Sequence, residues 1–198
     1  TGYGHFFCLL YWGKLTMSTG TTPPSHQLDY YGGNLLWYTP GDLGFDKELG
    51  KSTRTLSNLA VQDRKARIFQ PGTILLVAIG GSIGKVGLTR VECSSNQQIT
   101  GILFDSEIFP GYGFWWMRRL YDEIREAAPQ ATLPIINQRG IGAFNISYPP
   151  LDEQRRIVAY LDSVQARLAS LRELQSQTGE ELDALLPSIL DKAFKGEL

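Results

Sequence analysis

The sequence is poor in the residues that most often announce chemistry, with two cysteines and two histidines among 198 residues. Cys8 and Cys93 lie far apart, without Cys-x-x-Cys or Cys/His spacing, which excludes a disulfide framework and a zinc site; both read as buried thiols. His5 and His26 are too separated for a metal cluster or a triad, and neither GxSxG nor HExxH occurs. The longest aliphatic run, Ile74-Leu75-Leu76-Val77-Ala78-Ile79, is far shorter than the roughly 18 residues of a membrane span. The Phe6-Phe7-Cys8-Leu9-Leu10 patch has no preceding positive charge and no small-residue cleavage pattern, so a cytoplasmic protein without a secretory leader is expected. Net charge is nearly absent too, at −1, which speaks against a strongly basic, nonspecific nucleic-acid binder.

A 42% hydrophobic composition with nine Tyr and nine Phe supplies a core and excludes pervasive disorder. The length allows one globular domain and an appendage. Tyr148-Pro149-Pro150-Leu151-Asp152 marks the boundary, because two prolines continue neither a ladder nor a helix. Residues 1–150 carry 13 Lys and Arg against 11 Asp and Glu; residues 151–198 carry 6 against 9. Any anion-binding surface therefore belongs to the first part.

Beyond the prolines, Asp152 and Glu153 suit the start of a helix. Ile157, Leu161, Val164, Leu168, Leu171, Gln175, Thr178, Leu182, Leu185 and Ile189 then follow steps of four and three without a slip, a sustained heptad seam. Thr178-Gly179-Glu180-Glu181 also reads as the start of a second helix, but the phase survives it, which predicts one continuous helix. Pro187 is expected to kink or locally break the last turns. An isolated helix cannot bury such a seam, so it calls for a partner. Before residue 150, strands are expected around 5–12, 35–38, 73–79, 85–91, 99–104 and 142–147, with one helix at 112–126.

Gly80-Gly81-Ser82-Ile83-Gly84-Lys85 invites comparison with a phosphate-binding P-loop and fails it. Ile79 stands where the first glycine belongs, and Val86 replaces the magnesium-binding hydroxyl. A turn between two strands remains, with Lys85 and bare backbone able to approach a phosphate. Tyr148-Pro149-Pro150-Leu151 lacks the polar first residue and the aromatic last residue of an amino-methyltransferase motif, and reads as an elbow. Asp63-Arg64-Lys65 is too common a tripeptide to mark a nuclease. Lys47, Lys51, Arg54, Arg64, Lys65 and Arg67 outnumber the acids around them; they fit a solvated face or contact with a DNA backbone. Thr19-Gly20-Thr21-Thr22, Gly33-Asn34 and Asn96-Gln97-Gln98 offer hydroxyls and amides suited to base edges, and each also fits a turn or a hydrogen-bonded knot.

The ordered segments Gly20-Thr21-Thr22-Pro23, Tyr31-Gly32-Gly33-Asn34, Trp37-Tyr38-Thr39-Pro40-Gly41-Asp42-Leu43, Pro71-Gly72-Thr73-Ile74-Leu75-Leu76, Gly81-Ser82-Ile83-Gly84-Lys85, Asn96-Gln97-Gln98 and Pro149-Pro150-Leu151-Asp152-Glu153-Gln154-Arg155-Arg156-Ile157-Val158, closed by Ala193-Phe194-Lys195-Gly196-Glu197-Leu198, span nearly the whole chain. Together they resemble the specificity subunit of type I restriction-modification systems, with one target-recognition domain and one conserved spacer helix. The resemblance implies an α+β fold: a mixed, strand- and loop-rich DNA target-recognition domain (residues 1–150) followed by a long C-terminal α-helix (residues 151–198) that pairs in an antiparallel coiled coil. It implies a non-catalytic reader of double-stranded DNA, without a cofactor, that docks methyltransferase subunits and, in a full system, restriction subunits. Family members usually carry two recognition domains and two spacer helices. One of each is either a natural half-subunit or half of a longer protein, and in both cases the bare seam argues for a homodimer that pairs antiparallel through Ile157, Leu161, Val164, Leu168, Leu171, Leu182, Leu185 and Ile189, reading a bipartite site with two-fold symmetry.

The residues expected to meet DNA are Thr21, Thr22, Asn34, Trp37 and Tyr38 from the first loops, Lys51 and Arg54 from the basic stretch, Ser82 and Lys85 from the glycine turn, and Gln97, Gln98 and Arg139. A coiled-coil adaptor whose head binds protein is the alternative, favoured by a pI of about 6.1. A self-sufficient methyltransferase or nuclease would need activity from the chain alone.

Overall fold

A computed structural model describes residues 5–8, 15–44, 46–128 and 133–196. The chain divides into two units, Thr1–Arg155 and Arg156–Leu198. The first unit holds nine strands: β1 (His5–Cys8), β2 (Leu15–Thr19), β3 (Tyr31–Tyr38), β4 (Arg54–Leu56), β5 (Ile74–Val77), β6 (Val86–Leu88), β7 (Cys93–Ser95), β8 (Ile99–Phe104) and β9 (Asn145–Tyr148). Its helices are α1 (Asn58–Gln62), α2 (Pro110–Arg119), α3 (Tyr121–Ala127) and α4 (Gln138–Gly142); α5 (Leu151–Lys195) begins in it and makes up the second unit.

The central sheet runs β2-β8-β5-β6, all antiparallel, and its middle strand explains the unbroken aliphatic run. Side chains alternate between the faces of a strand. Ile74 and Leu76 join a core with Ile102, Phe104, Phe114 and Met117, while Leu75 and Val77 join another with Tyr38, Leu43, Phe69 and Ile99. A strand covered on both faces has no position for a polar residue. A three-stranded sheet, β4-β3-β7, lies beside the second core, with β3 antiparallel to β4 and parallel to β7. β1 pairs with β9, His5 opposite Tyr148.

Several expectations need correction. The helix expected at 112–126 is two helices, α2 and α3, meeting at the buried Leu120. The strand expected at 35–38 starts at Tyr31, because Gly32 and Gly33 (φ 76 and 140) form a bulge within the strand where the sequence reads as a turn. Of the strand expected at 5–12, His5–Cys8 is present, and residues 9–12 lie outside the described residues. The last expected strand begins at Asn145, after α4. Strands β2, β4 and β7 were not anticipated. α5 runs unbroken through Gly179, as expected, and past Pro187, so of the kink or local break expected there the break does not occur.

Gln154, in the first turn of α5, fastens that helix start. Its side chain is wholly buried, its Oε1 accepts from Phe109 N at 2.7 Å, and its Nε2 donates to Glu107 O and Pro149 O at 2.8 Å each. Tyr148 Oη donates to Glu107 Oε2 at 2.7 Å, so the same loop is also fixed from β9. Cys93 is buried as expected, and burial pushes its thiol up to about 12. The side chain of Cys8 lies outside the description.

Candidate nucleic-acid interface

Three loops and helix α4 meet around Gly20. A Cβ there would stand 2.2 Å from Ser95 Oγ and 2.3 Å from Asn96 O, so only glycine permits this approach. Thr21 N donates to Ser95 O at 2.8 Å, and Thr22 Oγ1 donates to Gln97 Oε1, which ties the 20–23 loop to the 95–98 loop. On the other side, Thr21 Oγ1 donates to Lys65 O at 2.8 Å and accepts from Arg67 N at 2.9 Å. At the end of β2, Thr19 Oγ1 accepts from Gln138 Nε2 of α4 at 3.3 Å, which brings the helix bearing the exposed Arg139 to the same edge. The structure thus gathers Thr21, Thr22, Gln97, Gln98 and the helix carrying Arg139.

Within this group the side chains divide between framework and surface. Thr21 uses its hydroxyl in both directions. Asn96 is buried; its Nδ2 donates to Gln98 Oε1 at 2.9 Å and its Oδ1 accepts from Gln98 N at 3.1 Å, so it orients the half-buried Gln98 amide. Thr22 and Gln97 are exposed.

Trp37 and Tyr38 are not surface readers. They are 3% and 2% exposed; Trp37 Nε1 donates to Thr21 O at 3.1 Å and Tyr38 Oη to Gly50 O at 2.7 Å. Burial, with Cys93 and Asp42 nearby, pushes the Tyr38 phenol up to about 12. Both rings set the positions of loops that other residues occupy. Asn34 stands exposed on the β3 bulge, and Lys51 is exposed beside Gly50. The glycine turn spends its amides internally. Gly80 N donates to Pro134 O, Ile83 N to Gly80 O, Gly84 N to Val77 O and Lys85 N to Ser82 O, which removes most of the bare backbone expected for a phosphate. Ser82 and Lys85 are half-buried, and Lys85 lines a recess with Gly44, Arg118 and Tyr121, none of them in the group around Gly20.

Apart from Lys47, which is buried and engaged, the basic stretch is exposed and unneutralised. Lys51, Arg54, Arg64, Lys65 and Arg67 form no ion pair among the described residues, while the acids nearby are engaged. Asp63 accepts from Tyr30 Oη at 2.9 Å. Asp42 accepts from Thr39 N, Thr39 Oγ1 and Thr53 N at 2.8 Å each, and from Thr53 Oγ1. Burial pushes the Asp42 carboxyl up, but these donors outweigh it and hold the group below its ordinary value. Arg64 closes α1 in the left-handed region (φ 57), where a non-glycine residue costs about 1–2 kcal/mol. Arg54 lies over two rings, its guanidinium carbon 4.6 Å from the Tyr31 centroid and 5.3 Å from that of Trp37.

Sequence reasoning passed over Tyr31 and Gln138. Tyr31 opens a segment quoted for its glycines, and nothing local signals that its ring would support an arginine. Among the described residues no cluster of His, Cys, Asp and Glu could hold a metal ion.

Residues 14–178 match the model of the type I restriction modification DNA specificity domain. The chain belongs to that family. It is 26% identical over 146 residues to the type I restriction enzyme MjaIX specificity subunit of Methanocaldococcus jannaschii, covering 72% of this chain and 34% of that protein. With the EcoDI specificity subunit of Escherichia coli it shares 31% identity over 132 residues, 66% of this chain and 29% of that protein. A solved chain described under complex assembly and conformational transition of the type I R-M system superposes with a TM-score of 0.77 at 25% identity, over 98% of this chain and 46% of that one. The specificity chain therefore spans less than half the length of these relatives. Its mixed α+β fold with a long C-terminal helix is the one expected from the sequence.

Proposed function

We propose that this chain reads one half of a DNA target and delivers methyltransferase subunits, with restriction subunits where a system has them, to the bound site. The observation that carries this reading is the patch around Gly20, where Thr22, Gln97 and Gln98 present polar groups beside Arg54, Arg64, Lys65 and Arg67 with no carboxylate neutralising those cations. Cations of this kind neutralise phosphates and release counterions, and amides and hydroxyls read base edges. Lys51, Asn34 and Arg139 extend the surface; the glycine turn approaches it at Gly80, beside Gln98, while Lys85 lines a separate recess. The chemistry sits in the partner subunits, and no cofactor is required by the chain itself. The adaptor reading has no support in the family to which the chain belongs.

The spacer begins after Pro150, and two copies pair antiparallel along Ile157, Leu161, Val164, Leu168, Leu171, Leu182, Leu185 and Ile189. That arrangement places one recognition domain at each end of a cytoplasmic homodimer and predicts an interrupted inverted repeat. Support comes from the exposure of Leu168, Leu171, Leu182, Leu185 and Ile189 on a continuous 45-residue helix, which at 1.5 Å per residue is roughly 68 Å long. Long-read methylation mapping of a host expressing the chain with its methyltransferase subunits tests the reading. Methylation of two-fold-related half-sites is expected. Removing seven residues of the seam shortens the helix by ~10 Å and should contract the half-site spacing by about three base pairs. An unchanged spacing refutes the ruler, and methylation independent of sequence refutes the recognition.

A further inference from the structure

We propose that Arg54 reads a guanine edge of the target, its guanidinium seated against the Tyr31–Trp37 aromatic pair. The inference rests on the DNA-recognition reading above and gives one residue a base, where the basic stretch as a whole offered only phosphate contact.

Arg54 differs from the cations around it. Lys51, Arg64, Lys65 and Arg67 are exposed and stack on no ring among the described residues. Such groups serve as point charges, which is all a phosphate asks. Other arginines are engaged by protein groups: Arg90 with Glu48, Arg155 with Asp152, and Arg125 with Gly81 O and the Tyr121 hydroxyl. The Arg54 guanidinium has no ion pair and no hydrogen bond among the described residues, yet it is ordered by two rings. Those rings are themselves fixed. They meet edge to face at 6.1 Å and 80°, Tyr31 Oη donates to Pro23 O at 2.6 Å, and Trp37 Nε1 donates to Thr21 O.

The two rings stand at 80° to each other, so a guanidinium between them can stack on one face only, spending its π surface there and keeping its in-plane N–H fork free. That fork matches guanine O6 and N7, the commonest specific contact in the major groove. Arg54 opens β4 at the edge of its sheet and sits opposite Trp37 of β3, so its position is set by a strand rather than a loop. The anchors of both rings, Pro23 O and Thr21 O, lie in the loop that bears Thr22, so the support under Arg54 is tied to the loop of the Thr22–Gln97 pair.

Selection from a pool of randomised duplexes by the full chain assembled with its methyltransferase subunits, followed by sequencing, tests the proposal. The unsubstituted chain is expected to select a motif with guanine at one position of each half-site. Arg54→Ala should relax that position alone, lowering its guanine preference about 5- to 100-fold. Arg54→Lys, which keeps the charge but loses the fork, should relax it partly; retained thermal unfolding in both variants confirms the fold. A loss spread evenly over all positions, with the salt slope reduced by about one, would make Arg54 a phosphate contact and overturn the proposal. An unchanged motif overturns it as well. If the unsubstituted chain selects no motif, the recognition reading falls along with it, an outcome distinct from the other two.

Discussion

In the unit ending at Arg155, Ile74, Leu75, Leu76, Ile99 and Ile102 are wholly buried, whereas in the unit that follows, Leu168, Leu171, Leu182, Leu185 and Ile189 stand 41–61% exposed. Both stretches are comparably aliphatic, and their periods differ. Alternation at two residues lets β5 serve two cores of the same chain. A heptad repeat puts Leu168, Leu171, Leu182, Leu185 and Ile189 of α5 on one exposed stripe, the pattern that suits a second helix. The first unit completes its burial alone; the second advertises an unfilled requirement.

The sharpest way to break this contrast is to remove the requirement. Leu171→Asp combined with Leu182→Asp is expected to raise the dissociation constant of the proposed dimer at least about a thousandfold, on ~1.5–3 kcal/mol for each leucine it would bury in both copies, and to leave the first unit folded. Sedimentation across a concentration series checks it, and an unaltered mass distribution would show that the stripe is not the interface.

A mid-sized effect is expected where the helix is fastened. Gln154→Leu strands the amide of Phe109 and the carbonyls of Glu107 and Pro149 in a buried site, and should lower stability by roughly 3 kcal/mol. Calorimetry should register this loss in the first unit, while the Leu171/Leu182 variant leaves that transition in place.

The smallest effect concerns acid. The Asp42 carboxyl lies below its ordinary value when folded, so its contribution is present above the unfolded value near 3.9 and is lost as pH falls through the lower folded value. Asp42→Asn should flatten the fall in melting temperature between about pH 5 and pH 2 relative to the unsubstituted chain. Parallel curves for the two proteins would mean that the Thr39–Asp42–Thr53 knot carries no pH dependence.

The sequence announced the long helix and the central strands because their patterns are periodic and local. A seam that keeps phase for ten positions, and a run such as Ile74–Val77 between Gly72 and Gly80, need no tertiary information to be read. Three-residue strands such as β4 and β7 exist only because β3 offers them a ladder. The interface was legible as residue types and not as roles. Gln154 and Gln97 carry the same amide; one is wholly buried with three partners and the other is exposed beside Thr22. Likewise Trp37, expected to meet DNA, is buried and lies beneath Arg54. Amphipathic side chains disclose which end they present only after the chain has folded around them.

β1 lies against β9, so the polypeptide leaves that short ribbon at Cys8 and rejoins it at Asn145. Everything between is a closed excursion from one seat, and it contains every position proposed to touch the duplex. The loops proposed to read DNA therefore hang as one insert from a two-stranded clasp, and the clasp, not the loops, joins that insert to the prolines and the helix after them.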